Sequence, residues 1–72
     1  MYYVYVLKIN RRGIYIGYTE DLKRRFKEHS KSSKCVLVYY EAYESSDLAR
    51  NRERKLKQYS GALRALKKRI NI

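Results

Sequence analysis

Residues 2–18 read YYVYVLKINRRGIYIGY, and this stretch decides the fold. Residues 2–9 are rich in tyrosine and valine and contain no breaker, which is typical of a β-strand, and residues 14–18 repeat the pattern. The polar segment between them ends in Gly13 and predicts a tight turn. The two strands are therefore expected to form an antiparallel hairpin.

The length of the turn determines which side chains share a face of this hairpin. A three-residue loop over residues 11–13, with its glycine at positive φ in a G1 bulge, would pair Asn10 with Ile14. The numbers of paired residues would then sum to an even number, which places Tyr5 and Tyr15 on the same face of the sheet. A two-residue loop would place them on opposite faces. We therefore predict the bulged turn if the two tyrosines belong to one site.

A helix and a third strand are predicted after the hairpin. Thr19 is the predicted N-cap of the helix, and Glu20 and Asp21 follow in the first turn, where the helix dipole favours acidic side chains. The helix is expected to extend to about Lys31. Residues 35–44 then have the β-branched and aromatic composition of a strand.

Two further helices are predicted at the end of the chain. Ser45 or Ser46 is expected to cap the second helix, which extends to about Gln58, and Ser60 is expected to cap the third. The third helix has apolar residues at i, i+3 and i+7, namely Leu63, Leu66 and Ile70. The order ββαβαα predicts a single α+β domain over residues 1–72, with a three-stranded antiparallel sheet flanked by three helices in two layers.

The composition favours a basic protein of a reducing compartment. Eighteen lysine and arginine residues face seven acids, and the net charge of +11 is expected to attract a polyanion such as nucleic acid. Cys35 is the single cysteine, which excludes an intramolecular disulfide, and we expect it to be buried in the third strand. No apolar run approaches the roughly 20 residues of a membrane span. We therefore expect a cytoplasmic protein that does not enter a membrane.

The first helix has two polar candidates near its apolar side. Leu22 and Phe26 are its apolar anchors, and at about 100° per residue both His29 and Arg25 lie within about 60° of Leu22. The structural alternative for Arg25 is an aliphatic stem along the edge of the core. For His29 it is a favourable interaction with the C-terminal end of the helix dipole.

Glu53 is the only acid in a strongly basic stretch, residues 50–57, of the second helix. It lies on the same stripe as Ala49 and Leu56, which is predicted to face the sheet, where an unpaired carboxylate is costly. Two interpretations remain open. One is an ion pair with a neighbouring arginine, and the other is a ligand for Mg²⁺ or Mn²⁺, since such ions commonly take one or two carboxylates together with waters.

These candidates fall into an ordered set of short motifs. The motifs are Tyr3-Val4-Tyr5, Tyr15-Ile16-Gly17, Arg25, His29 and the pair Arg52-Glu53. In their order and in their predicted elements they resemble the GIY-YIG nuclease domain over nearly the whole chain. The resemblance is greatest to the small stand-alone bacterial branch of that family.

The resemblance implies a metal-dependent endonuclease that hydrolyses DNA phosphodiester bonds, with a role in DNA repair or recombination. In such a site Glu53 would bind a divalent cation, Mg²⁺ or Mn²⁺, and Arg25 would neutralise charge on the phosphate. Tyr5 or Tyr15 would orient or deprotonate the attacking water, provided that neighbouring cations favour the phenolate. His29 would assist proton transfer or hold the scissile phosphate. All five residues are therefore candidate catalytic residues.

Three features depart from the family pattern. Tyr3 stands where the first triplet usually has glycine, although the small bacterial branch often has tyrosine there. The segment after His29 is short and lacks a basic, glycine-containing stretch. Asn71 lies too far after Glu53 to match the late asparagine of the family, so that role is not assigned to it. The alternative function is a non-catalytic nucleic-acid-binding module that retains the fold, and a small basic ribosome-associated protein is a third. We expect a monomer that binds nucleic acid, with DNA as the partner.

Overall fold

The computed structural model describes residues 1–9, 13–32 and 34–71, which form three strands and three helices in the predicted order ββαβαα. The elements are β1 (Tyr2–Lys8), β2 (Ile14–Thr19), α1 (Leu22–Ser32), β3 (Val36–Tyr43), α2 (Ser46–Gln58) and α3 (Ser60–Ile70). The strands form one antiparallel sheet in the order β2-β1-β3. The predicted α+β class and the antiparallel sheet are confirmed.

The hairpin of β1 and β2 keeps the predicted faces but not the predicted register. Lys8 rather than Asn10 faces Ile14, so the predicted pairing is wrong by two residues. A shift of two residues leaves every side chain on its own face, so the alternation of side chains in the sequence does not distinguish the two registers. Tyr5 and Tyr15 lie on the same face, as predicted.

Gly13 has the positive φ predicted for it, 98°. Its carbonyl oxygen accepts a hydrogen bond from the N–H of Ile9 at 2.8 Å, which continues the pairing of the hairpin toward the turn. The remainder of the predicted bulge falls on residues 10–12, outside the described part of the chain.

Helices cover both faces of the sheet. The core on one face is formed by side chains of β1, β2, α2 and α3, namely Val4, Val6, Ile16, Ala49, Leu56 and Leu66. Adjacent residues of a strand point to opposite faces. Tyr5 and Leu7 are therefore buried on the other face, where α1 provides His29 as the hydrogen-bond partner of Tyr5. The predicted two-layer arrangement is wrong, because the order of the elements does not specify which face each helix covers.

Asp21, rather than the predicted Thr19, caps α1. The Asp21 carboxylate accepts a hydrogen bond from the N–H of Arg24 at 3.1 Å, and its carbonyl oxygen accepts one from the N–H of Arg25. Thr19 is the last residue of β2, and its hydroxyl accepts a hydrogen bond from the N–H of Asp21 at 3.0 Å. Both residue types are good caps, so the extent of β2 determines where the helix begins.

The ends of the other helices agree in part with the predictions. Ser45 caps α2 as predicted, whereas α3 begins at Ser60 itself and Tyr59 occupies the cap position. Asn71 ends α3 with φ of 62°, a structural role typical of asparagine. Cys35 is half-buried and precedes β3 instead of being buried within it. Within the described ranges, none of the helices has the length and apolar character needed to span a membrane.

Candidate active site

Three aromatic side chains from three elements meet on the α1 face of the sheet. Tyr5 of β1 and Tyr15 of β2 have ring centroids 6.1 Å apart, and the His29 ring of α1 lies 5.9 Å and 4.9 Å from them. The Oη atom of Tyr5 is 3.0 Å from Nε2 of His29, a hydrogen-bond distance. The fold thus brings together the two phenols and the imidazole that the sequence motifs single out.

Gly17 makes room for the ring of Tyr5. The two residues are cross-strand partners, and a Cβ atom at Gly17 would lie 2.4 Å from both Cζ and Oη of Tyr5. That distance is far shorter than van der Waals contact between heavy atoms. Only glycine therefore allows the Tyr5 ring to lie across β2, in contact with Tyr15 and His29. The close approach of Tyr5 therefore explains why this fold requires glycine at the last position of the Tyr-Ile-Gly triplet.

Tyr5 is a neutral phenol at physiological pH. The residue is only 1% exposed. Burial, together with the neighbouring Tyr15, raises the pKa of Tyr5 to about 12, although Arg25 acts in the opposite direction. Arg25 favours the phenolate but is outweighed by burial, so Tyr5 does not meet the condition for a base that deprotonates water. A buried, protonated phenol is suited to orient the His29 ring and unsuited to removing a proton from water.

Arg25 lies at the exposed edge of this cluster. Its Nη1 atom is 3.3 Å from the carboxylate of Glu28, which also lies 3.4 Å from Arg24. Its charge is close enough to Tyr5 to lower the pKa of that phenol. Ion pairs between exposed side chains contribute little stability. The Arg25 guanidinium can therefore exchange Glu28 for an anionic ligand at small cost.

Glu53 approaches the cluster from α2, along the edge of the sheet formed by β2. Its side chain is 23% exposed and is therefore mostly shielded from solvent. Its ion-pair partner is Lys57, at 3.0 Å, and not a neighbouring arginine. The Nζ atom of Lys57 lies 6.0 Å from the centroid of the Tyr15 ring. Lys57 therefore links the Glu53 carboxylate to the aromatic cluster, and sequence reasoning missed it because the helix has many lysines.

A second polar cluster, which sequence reasoning also missed, lies on the opposite face of the sheet. Arg52 donates three hydrogen bonds of 3.0–3.2 Å to the carboxylate of Glu41, and the hydroxyls of Tyr39 and Tyr43 donate to the same carboxylate. The signal was the alternation Tyr-x-Glu-x-Tyr in β3, which places three polar groups on one face. Because Arg52 precedes Glu53 in the chain, this bond to β3 also fixes the rotation of α2.

Arg52→Met is expected to destabilise the fold by about 2 kcal/mol at neutral pH, because it leaves the largely buried Glu41 carboxylate without its cation. Burial raises the pKa of Glu41, but hydrogen bonds from Arg52, Tyr39 and Tyr43 outweigh burial and hold the pKa below its ordinary value of 4.5. The stabilisation is therefore complete above pH 4.5 and is lost as the pH falls through the folded-state pKa.

Urea unfolding at several pH values measures this effect. The exposed Arg54 of the same helix supplies the control, since Arg54→Met should change the free energy of unfolding by no more than about 0.5 kcal/mol. The difference between Arg52→Met and the wild type should shrink in acid. Equal effects of the two substitutions at neutral pH would contradict the assignment.

The order of the elements and the clustered phenols and imidazole are compatible with a nuclease-like domain. Residues 1–71 match the GIY-YIG catalytic domain, and the chain belongs to the GIY-YIG family. Membership of this family indicates a nuclease-like function with a nucleic-acid substrate. The resemblance found in the sequence motifs is confirmed.

Several small proteins are similar to this chain over most of their length. The UPF0213 protein of Haloquadratum walsbyi is 29% identical over 68 residues, which cover 82% of this chain and 76% of that protein. The UPF0213 protein of Clostridium perfringens is 33% identical over 67 residues, covering 81% and 72%. That of Staphylococcus aureus strain Mu3 is 30% identical over 79 aligned residues, covering 94% and 96%. No solved structure matches the chain.

Proposed function

We propose that this protein is a divalent-metal-dependent endonuclease that hydrolyses DNA phosphodiester bonds. The observation that carries the proposal is the meeting of Tyr5, Tyr15 and His29 in one cluster, with Arg25 at its rim and the Lys57–Glu53 pair beside it. Membership of the GIY-YIG family supports nuclease chemistry for this cluster. The net charge of +11 supports a polyanionic substrate.

Each side chain has a role suited to its position. Arg25, exposed and weakly paired, binds the phosphate and neutralises the charge that develops on it. Tyr15, the more exposed of the two phenols, orients the attacking water. His29 transfers the proton, because an imidazole exchanges protons near neutral pH more readily than a phenol. Tyr5 is buried and acts as a positioning residue through its hydrogen bond to His29.

The residues around Glu53 fit a hard divalent cation. Mg²⁺ and Mn²⁺ accept a site with one protein carboxylate, because they keep several waters and take phosphate oxygens from the substrate. Among the residues that the structure describes, no group of three His, Cys, Asp or Glu side chains could hold a metal, which agrees with a site of this open kind. Glu53 would hold the cation in place of Lys57, whose side chain is exposed. The bound cation would supply Lewis acidity at a phosphate oxygen.

We further propose that residues 1–72 act as a single domain on DNA intermediates of repair or recombination. The family match over residues 1–71 supports the extent of the domain. The small size of the matched region supports recognition of DNA structure in preference to a long base sequence, since few side chains are available to read base edges.

The test is a cleavage assay on branched, nicked and fully paired DNA with Mg²⁺ or Mn²⁺, and with a chelator as the control. Cleavage that requires the metal is expected, with a preference for branched or nicked DNA. Absence of cleavage on every substrate would overturn the enzymatic proposal. Tight binding without cleavage, weakening steeply with salt as counterions are released, would instead identify a non-catalytic binding module.

A further inference from the structure

A cavity of about 400 Å³ lies beside the candidate active site, on the same face of the sheet. It is lined by aromatic and aliphatic side chains, of which Tyr3, Tyr40 and Phe26 carry the argument, and by three charged ones, Glu20, Asp21 and Lys23. Its volume is in the range of small-molecule sites. We propose that this cavity binds one unpaired nucleobase of the DNA substrate, next to the phosphodiester that is cleaved.

The position of the cavity relates it to the active site. Tyr40 on its wall is the cross-strand partner of Tyr5, on the side of β1 opposite to Gly17. Phe26 on its other wall is one helical turn from His29 and adjacent to Arg25 in the chain. The cavity and the active site therefore share β1 and α1. A nucleotide whose phosphate contacts Arg25 can place its base in the cavity only if that base is not paired.

The aromatic walls provide surfaces for stacking. The rings of Tyr3 and Tyr40 are 6.1 Å apart with an interplanar angle of 64°, so they form two sides of an angular recess. Tyr40 is 53% exposed, although it belongs to a strand of the sheet. Proteins that hold unpaired bases stack them on such rings. Tyr3 supplies the second aromatic wall of the recess.

The charges at the rim favour a base over a phosphate. Glu20 and Asp21 are two of only seven acids in a chain of net charge +11, and both line this cavity, where they outnumber the one lining cation, Lys23. Carboxylates repel phosphate but accept hydrogen bonds from the exocyclic amino groups of bases, as they do from cytosine N4. The basic surface elsewhere attracts the phosphates. The distribution of charge therefore favours binding of the base in the cavity and of the phosphate at Arg25, outside the cavity.

This inference rests on the proposed function, because it assigns the substrate as DNA with an unpaired nucleotide beside the scissile bond. It is tested without cleavage, in the presence of a chelator. Fluorescence anisotropy compares binding of a duplex that has one bulged 2-aminopurine with binding of the fully paired duplex. The emission of 2-aminopurine, which falls when the base stacks, reports entry into the recess.

The wild type is expected to bind the bulged duplex more tightly and to quench its fluorescence. Tyr40→Ala should weaken that binding by about 10-fold, in line with the loss of one stacking platform, and should leave binding of the paired duplex unchanged. Tyr40→Phe should retain both signals because it retains the ring. Tyr59→Ala is the matched control, since Tyr59 is also well exposed, at 60%, but lies at the junction of α2 and α3.

Equal affinity of the wild type for bulged and paired DNA would overturn the inference, as would equal effects of Tyr40→Ala and Tyr59→Ala. Circular dichroism of each variant verifies that the fold is retained. A protein that prefers the bulged duplex through Tyr40 but never cleaves would retain the base-binding recess and lose the proposed enzymatic function. The base-binding cavity and the endonuclease activity can therefore be contradicted independently of each other.

Discussion

Gly17→Ala is expected to destabilise the fold by about 3 kcal/mol, at the upper end of the cost of overpacking a core. The added Cβ would lie 2.4 Å from Cζ and Oη of Tyr5, a fully buried ring that is hydrogen-bonded to His29. Neither the ring nor the β1–β2 pairing can move away without losing contacts. For a domain of this size the melting temperature should fall by roughly 12–24 °C, which thermal unfolding followed by circular dichroism measures.

Gly61→Ala is the matched control for this prediction. A Cβ at Gly61, in an exposed position of α3, has no atom within 4 Å. That substitution should stabilise the protein by about 0.4–1 kcal/mol, because alanine is the better helix former. Tyr5→Leu should partly rescue Gly17→Ala, since it removes the clashing ring. Full additivity of the two substitutions would show that Tyr5 is not the cause of the clash.

Glu53→Gln is expected to lower the metal-dependent cleavage rate by at least about 100-fold, because the neutral amide is a poor ligand for a hard cation and the lost interaction is worth several kcal/mol. The fold should remain intact. Within the described part of the chain Glu53 forms an ion pair with the exposed Lys57, and such an i, i+4 pair contributes about 0.3–0.5 kcal/mol. Single-turnover cleavage and Mn²⁺ binding, measured on the same preparation, should therefore both decline while the melting temperature changes little.

Glu44→Gln controls for the loss of one negative charge. Glu44 is exposed and follows β3, outside the aromatic cluster. The substitution should leave cleavage and Mn²⁺ binding unchanged. If Glu53→Gln cleaved DNA at the rate of Glu44→Gln, Glu53 would not be the metal ligand. A parallel loss of activity and of the folded state would point instead to a structural role.

The motifs predicted that Tyr5, Tyr15 and His29 would lie together, as they do, but they did not predict the ion pairs around this cluster. Tyr15 and His29 were expected to meet, and their rings lie 4.9 Å apart. Two interpretations were open for Glu53, an ion pair with a neighbouring arginine or a metal ligand, and the fold pairs it with Lys57 and pairs Arg52 with Glu41. Helical spacing alone does not identify the partner of Glu53, because several lysines and arginines of α2 lie within reach of its carboxylate. The choice depends on which strand each face of the helix contacts.

The protonation state of Tyr5 is a second property that the sequence motifs did not predict. A free phenol has a pKa near 10, and the family resemblance required neighbouring cations to favour the phenolate if Tyr5 were to deprotonate water. Burial, which only the packed structure determines, raises the pKa of Tyr5 to about 12. The tyrosine of the first triplet is therefore a positioning residue in our proposal, and Tyr15 and His29 are the residues that contact the reacting groups.

The sequence by itself determined the order ββαβαα, the antiparallel hairpin and the shared face of Tyr5 and Tyr15, because each of these follows from the periodicity of neighbouring residues. Only the tertiary structure decided that Lys8 pairs with Ile14, that helices cover both faces of the sheet, and that the Tyr5 ring crosses Gly17. These outcomes depend on contacts between residues that are distant in the chain. Local spacing does not specify them. A shift of the strand pairing by two residues, or the packing of a helix on the other face of the sheet, leaves the pattern of side chains along each strand unchanged.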